Sequence, residues 1–433
     1  MFKLATATLL LAACLTTPAH ADPCALSASA GAQLQSTLHG AVPFLGTLNG
    51  PHGLPLSVTL VDANGRACSF STQPPKGRGA TAAVGLGKSS VQVNPADALS
   101  VGATSLPFAG SAALAGAAGQ QRSQAVDLGT LGGTFSIALA VNDRDEVVGS
   151  ASLPNFDEHG FLWRNGTMMD LGTLGGSFSR ATGINNRGQV VGASSTAGAE
   201  IHAFLWRIGG GTLIDLGTLG GTFSIATAIN DDGVVVGGSS IAGDGELHGF
   251  MWIKGVMIDM GSLGGGFSFV RGVNSRGQAV GTSYNSASQQ HAFLWQRQRP
   301  AVDLGTLPGG TYADAAGINS SGVVVGVADT AASELHAFTF KQGRWTDLVS
   351  PVPNSTSEAL GINDDGEVVG GAYFNGGVDA HAVVWNRRGV GTDLNALIGG
   401  DYSVGTAINS LGHVVGNARM VGSTEYHAYL LKR

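Results

Sequence analysis

From Ala125 onward the apolar residues fall into short runs separated by turn-forming residues. Between Phe178 and Leu216 four runs follow one another: Phe178–Asn185, Gln189–Ser194, His202–Trp206 and Leu213–Leu216. Runs of this length with period-two alternation, bounded by Gly and Asn, predict β-strands. In the first run the small residues Ser179, Ala181, Gly183 and Asn185 alternate with a face that includes Phe178 and Ile184. One thin and one thick face suit a strand near a crowded axis. In the third run His202, Phe204 and Trp206 share one face and Ala203 and Leu205 the other, so a strand covered on both sides is expected. Asn185-Asn186-Arg187-Gly188 predicts a tight turn in which Asn bonds its own backbone and Gly takes the left-handed conformation. Gly192, inside the second run, predicts close approach by another backbone or a large side chain.

This unit occurs seven times. Its Asn stands at Asn142, Asn185, Asn230, Asn274, Asn319, Asn363 and Asn409, at intervals of 43 to 46 residues. Its His stands at His159, His202, His248, His291, His336, His381 and His427. Such a period signals a propeller or a solenoid, and four short strands covered on both faces make a propeller blade. The ends set the count. Ala125–Leu128 is a fourth-type strand with no unit before it, and the last unit stops after its third strand, His427–Leu431. Pairing the two completes a seventh blade and protects sheet edges. An open superhelix would instead want polar capping repeats. The expected fold is all-β: a seven-bladed β-propeller over 125–433, closed by the N-terminal strand of the repeat region and preceded by a small β-rich region.

Before the repeats, residues 1–21 read as a secretory leader, with Lys3, the apolar run Leu4–Ala13 and the small-residue cleavage pattern Ala19-His20-Ala21. Leu11-Ala12-Ala13-Cys14 also resembles a bacterial lipobox, so anchoring through a lipidated Cys14 is the alternative to secretion into the periplasm or medium. Residues 22–73 form a small region in which Leu56–Val61 and Arg66–Phe70 flank an Asp-Ala-Asn-Gly turn, a hairpin signal. In an exported chain Cys24 and Cys68 are expected to pair as a disulfide. Residues 74–124, rich in Gly, Ala, Ser and Pro, read as a linker.

The motif D-L-G-T-L-G-G, S-x-A-x-G-I-N, G-x-V-V-G and H-A-F-L-W resembles that of the HAF family of bacterial extracellular repeat proteins. The His-Ala-Phe triplet stands at His202–Phe204, His291–Phe293 and His336–Phe338, and drifts in the other four units. The resemblance covers Ala125–Arg433. It implies export and no particular reaction.

Charge and chemistry narrow the function further. A formal net charge of −7 with no basic run argues against nucleic acid and anionic membranes, and no apolar run is long enough to span a bilayer. The seven His, each with an Asp on the neighbouring fourth strand (Asp127, Asp170, Asp215, Asp259, Asp303, Asp347, Asp393), suggest proton transfer. Seven copies fit a buried structural network better than one active site. The turns Asn230–Gly233 and Asn363–Gly366 are too short for a calcium loop. The Gly-Gly loops lack the Lys and helix of a phosphate loop. No serine elbow or zinc-protease helix occurs. No catalytic residue, metal or cofactor is therefore assigned.

The departures from the repeat are the candidates for binding. At the third position of the first strands the residues are Ile137, Arg180, Ile225, Phe269, Asp314, Glu358 and Val404, and Arg271 is a fifth-position residue. Arg180, Arg271, Asp314 and Glu358 are expected near the axial mouth, either as solvated rim residues or as a ligand site. The functional expectation is an exported, monomeric binding or scaffold module for an extracellular glycan or protein, without catalysis. The alternative is a polysaccharide or polymer hydrolase or lyase with Asp314 and Glu358 as its acid–base pair.

Overall fold

The computed structural model describes the backbone of residues 57–61, 67–72 and 84–86, and residues 125–433 apart from 298, 354, 375–378 and 421–424. The expected leader, Cys14, Cys24 and most of the expected linker lie outside the described residues, and so does the Cys24–Cys68 pairing. The chain divides into two compact units, Met1–Gln121 and Arg122–Arg433. In the first, Ser57–Val61 and Ala67–Thr72 form the expected antiparallel hairpin, with Leu60 opposite Cys68. A third strand, Val84–Leu86, pairs with Ala67–Thr72. It falls inside the stretch expected to be a linker, where it covers an otherwise open sheet edge.

Strand pairing in the second unit gives one sixteen-stranded sheet, in which four antiparallel groups of four are linked by single parallel pairings, and three further antiparallel sheets of four. The fold is a β-propeller. In the second blade the strands are Gly175–Ile184, Gln189–Thr196, Ile201–Arg207 and Ile214–Asp215. The closure expected from the incomplete ends is present: Ala125–Asp127 lies antiparallel to Tyr426–Leu431, with Tyr429 opposite Asp127 and Leu431 opposite Ala125.

The two faces of the third strand explain how blades stack. Phe204 and Trp206 pack toward the first blade against Val148 and Leu162. Ala203 and Leu205 pack toward the third blade, with Ala226 and Phe250. The thick face of each blade thus meets the thin face of the one before it. The same arrangement joins the ends, where Leu128, Ala138 and Phe161 cluster with Val415, Ala428 and Leu430.

Each first strand carries a bulge. In the second blade Gly192 lies opposite Ala181 and Val191 opposite Gly183, leaving Thr182 as the extra residue. A bulge re-aims the extra side chain, and here it turns toward the next blade: Thr182 Oγ donates to Ala226 O at 2.7 Å. The bulge also accounts for the invariant Gly of the second strand. A Cβ on Gly192 would lie 1.9 Å from Arg180 O, and one on Gly237 1.9 Å from Ile225 O. A single four-residue α-helix, Asn395–Ile398, occurs among the described residues, in the crossing to the seventh blade.

Candidate functional site

The propeller has two ends, and they differ in symmetry. At one end the first strands finish and turn. There the seven repeat Asn form a closed ring. Nδ2 of Asn142 donates to Asn185 O, Asn185 to Asn230 O, and so on through Asn409, which donates to Asn142 O, at 2.9–3.2 Å. Oδ1 faces the residue's own turn; in Asn230 it accepts the N–H of Asp232 at 3.1 Å and of Val234 at 3.0 Å. The expected self-bonding turn is therefore present, and Asp145, the one non-Gly residue at the closing position, has φ 56°. The bond from each Asn to the next blade is a feature that sequence reasoning missed. Its signal was the retention of Asn, where Asp or Ser could also have closed the turn. Three consecutive residues from every blade, from Val141–Asp143 to Ile408–Ser410, line an axial cavity of about 240 Å³ at this end. Its rim is also bonded from blade to blade: Asp231 Oδ1 accepts the N–H of Asn186, and Asp364 Oδ1 that of Ser320, each at 2.8 Å. Every one of these roles is structural.

The opposite end, where the first and third strands begin, is asymmetric. The structure brings three of the four candidate binding residues together and separates the fourth. Arg271 Nε and Nη2 donate to the Asp314 carboxylate of the next blade at 2.8–3.0 Å, and the Arg271 guanidinium stands 5.5 Å from the Phe269 ring. Glu358, in the blade after Asp314, accepts the Tyr373 hydroxyl. Arg180 is elsewhere, donating to Glu158 of the first blade at 2.9 Å. The expectation of a solvated rim is corrected: Arg180 and Asp314 are only 7% and 6% exposed, and Arg271 and Glu358 are half-buried. The reason is that third-position side chains point back into the joint between blades and the bulge turns Arg271 toward the next blade, and a charge in such a joint needs a partner. Burial pushes the Glu358 carboxyl above its ordinary 4.5, with the charge of Asp314 adding to the rise and Tyr373 and Arg271 opposing it.

Sequence reasoning also missed the tyrosines around this group. All six in the chain lie between Tyr284 and Tyr429, so the last four blades hold them and the first three have none. Tyr284 packs against Phe267 at 5.4 Å between ring centroids. Tyr402 meets Tyr426 edge-on at 5.1 Å, and the Arg419 guanidinium stands 5.8 Å from the Tyr426 ring. Burial raises the Tyr312 phenol well above its ordinary value, with Asp314 adding to the rise. At the place held by Ser195 and Ser240 in the second and third blades stand Tyr284, Asp329, Tyr373 and Arg419 in the fourth to seventh.

The seven His begin the third strands at this same end, farther from the axis. Each bonds through Nδ1 to the Asp of its blade's fourth strand, at 2.6–2.9 Å: His159–Asp170, His202–Asp215, His248–Asp259, His291–Asp303, His336–Asp347, His381–Asp393 and His427–Asp127. The expected pairing within each blade is present, but the expected burial is not. The His side chains are 13–28% exposed and the Asp side chains 36–45%. The fourth strand is the outer edge of the sheet and covers only one side of the pair.

No family model matches the chain, and no curated protein matches it. Solved structures do resemble it. A puromycin hydrolase is 13% identical, with a TM-score of 0.49 over 69% of this chain and 52% of that one. TolB from Acinetobacter baumannii is 11% identical, with a TM-score of 0.42 over 60% of this chain and 63% of that one. A lectin from Burkholderia pseudomallei is 8% identical, with a TM-score of 0.37 over 71% of this chain and 98% of that one. The chain thus spans about half the length of the hydrolase and less than two thirds of TolB. No activity carries over at these identities, and the propeller assignment rests on the strand pairing above.

Proposed function

We propose that this chain is an exported repeat protein of the HAF type whose propeller is a binding module. Its ligand, an extracellular glycan or protein segment, meets the asymmetric end in the sector of the fourth to seventh blades. One observation carries this reading. The residues that build the ring are nearly the same in every blade, whereas the Arg271–Asp314–Glu358 group and its tyrosines occupy one sector. A single ligand on a seven-fold frame requires such a break in symmetry, and rigid aromatic faces with paired charges supply large contact areas at low entropic cost. Arg180, paired in the joint between the first two blades, lies outside the sector and serves that joint.

The test is a screen of the full chain against extracellular polysaccharides and cell-surface peptides, followed by a triple variant, Tyr284→Phe, Tyr312→Phe and Tyr402→Phe. These changes keep the rings and remove the hydroxyls. A bound member of the panel should lose affinity in this variant and keep it in Asp143→Asn/Asp364→Asn, at the opposite end. The reverse pattern would move the site to the Asn-ring end.

A second reading, hydrolysis of a polymer, draws on the raised carboxyl of Glu358 beside Asp314, since a raised carboxyl suits a general acid. Against it, Arg271 and Tyr373 already engage these carboxyls. Turnover of a bound polysaccharide that Glu358→Gln abolishes would favour it.

A further inference from the structure

We propose that copies of this chain stack head to tail along the propeller axis, the basic end of one copy on the acidic end of the next. The sequence shows no basic run because its bases are spread one or two to a blade. The fold gathers them. Each third strand runs toward the Asn-ring end, and the residues at and just after its end include at least one Lys or Arg and no acid. Arg207, Lys254, Arg297, Arg299, Lys341 and Arg344, in the second to fifth blades, are exposed and make no ion pair among the described residues. Those of the last two blades are partly engaged: Arg387 lies 3.8 Å from Asp365, Lys432 2.6 Å from Asp145 and Arg433 2.8 Å from Glu367.

The other end of the same hairpins is acidic. The residue two places before the repeat His is Asp157, Glu200, Glu246, Glu334, Asp379 or Glu425 in six blades, with Gln289 in the fourth. Every fourth strand adds its Asp beside the His. The Glu200, Glu246 and Glu334 side chains are 47–66% exposed. The bases at this end are Arg180, Arg271 and Arg419, and each is already paired with an acid.

Both charges therefore stand at one radius. Glu200 and Arg207 mark the two ends of a single strand, Ile201–Arg207. At about 3.3 Å per residue those ends are roughly 20 Å apart, beyond the Debye length of about 8 Å at physiological salt, so they act as separate patches of opposite sign. Translation of a second copy along the axis sets basic turns over acidic hairpin ends. The seven-fold repeat makes every rotation by one blade nearly equivalent. Two copies meeting through the same end would oppose like charges, which disfavours a two-fold dimer. The contact is heterologous: every assembly keeps one free basic end and one free acidic end, and it does not close. Exposed ion pairs are individually weak and screened by salt, so the column is reversible and grows as salt falls. Stacking and the proposed ligand binding rest on different residues, so either can fail without the other. In a column only the last copy leaves its ligand sector open.

The experiment is sedimentation velocity of the full chain in roughly 10 mM and roughly 1 M salt, where the Debye length is about 30 and 3 Å. We expect a sedimentation coefficient that rises with protein concentration at low salt without settling at a dimer, and a single chain at high salt. Lys341→Glu/Arg344→Glu reverses charge at the basic end and Glu200→Lys/Glu246→Lys at the acidic end, with folding checked by thermal melting. Each variant alone should associate at least about tenfold more weakly at low salt, because like charges then meet. An equimolar mixture should recover association, since one variant keeps an acidic end and the other a basic end. A wild-type chain that stays single at both salts, association that salt leaves unchanged, or a dimer of fixed size would overturn the proposal. A wild-type chain that stays single at low salt but binds heparin, and loses it in Lys341→Glu/Arg344→Glu, would instead assign the basic end to a polyanion.

Discussion

Replacing Asn230 by Ala tests the ring of asparagines directly. Asn230 is 7% exposed. Its Nδ2 reaches Asn274 O at 3.0 Å, and its Oδ1 accepts the N–H groups of Asp232 and Val234. Asn274 O keeps a second bond, from Gly277 N at 3.0 Å, so it loses least. The two turn N–H groups lose their side-chain acceptor. At about 1 kcal/mol for each N–H and somewhat less for the carbonyl, the cost is about 2–3 kcal/mol. In a unit this large that lowers the melting temperature by roughly 5 °C. Asn230→Asp keeps Oδ1 for the turn but sets an acceptor against Asn274 O, so it isolates the bond between blades. The decisive comparison is Asn409→Ala. Asn409 donates to Asn142 O at 3.0 Å, across the joint between the last and first blades, and should cost as much as Asn230→Ala. Urea and thermal unfolding measure both. A cost under about 0.5 kcal/mol for Asn409→Ala beside a full cost for Asn230→Ala would refute a closed ring.

Gly237→Ala should destabilise by more than about 3 kcal/mol or prevent folding, because its Cβ would meet the Ile225 carbonyl at 1.9 Å, an overlap that only a shift of the bulge relieves; recovery of soluble protein with a wild-type melting point would contradict this. His291→Ala should cost under about 1 kcal/mol, since its pair with Asp303 is partly exposed and Asp303 keeps its bond from Gly305 N; a loss several times larger in urea unfolding would show the pair to be part of the core. Glu358→Gln tests burial of the carboxyl. A carboxyl raised in the folded state binds its proton more tightly there, so wild-type stability falls as pH rises from about the ordinary 4.5 toward the folded value. The Gln variant lacks that fall, and its stability relative to wild type should climb across this window. Parallel stability–pH curves for the two proteins would exclude the raised carboxyl.

The propeller was legible in the sequence because repetition multiplies each weak signal by seven. One run such as His202–Trp206 is ambiguous alone; seven, six of them followed by an Asp-bearing strand, are not. The closing strand was legible because Ala125–Leu128 had no unit of its own. What escaped the sequence lies between blades. The bond from one Asn to the next carbonyl depends on how neighbouring turns stack, which period-two patterning within a strand does not encode. Arg271 and Asp314 are 43 residues apart, one repeat length, and opposite charges at that interval were a usable sign of a pair between blades. Their third- and fifth-position places suggested an open mouth instead, because the bulge that turns Arg271 toward the next blade is invisible in a one-strand pattern. The exposure of the seven His was missed for a similar reason: burial at the rim depends on what lies beyond the fourth strand.

The pairing of Ala125–Asp127 with Tyr426–Leu431 has a consequence for the order of folding. His427 and Asp127 bond across 300 residues of chain, whereas the other six pairs between a repeat His and its fourth-strand Asp span 11 to 13. Six sheets can therefore assemble from local segments as soon as each is synthesised. The seventh must wait until Tyr429 exists, and until then the first blade presents an uncovered face to everything around it. Joining such distant strands is entropically costly, and long-range pairing is slow. The closing step is thus expected to be the last and slowest event in folding. During that interval the uncovered first blade can be captured by the seventh blade of another copy, which would exchange closing strands between chains.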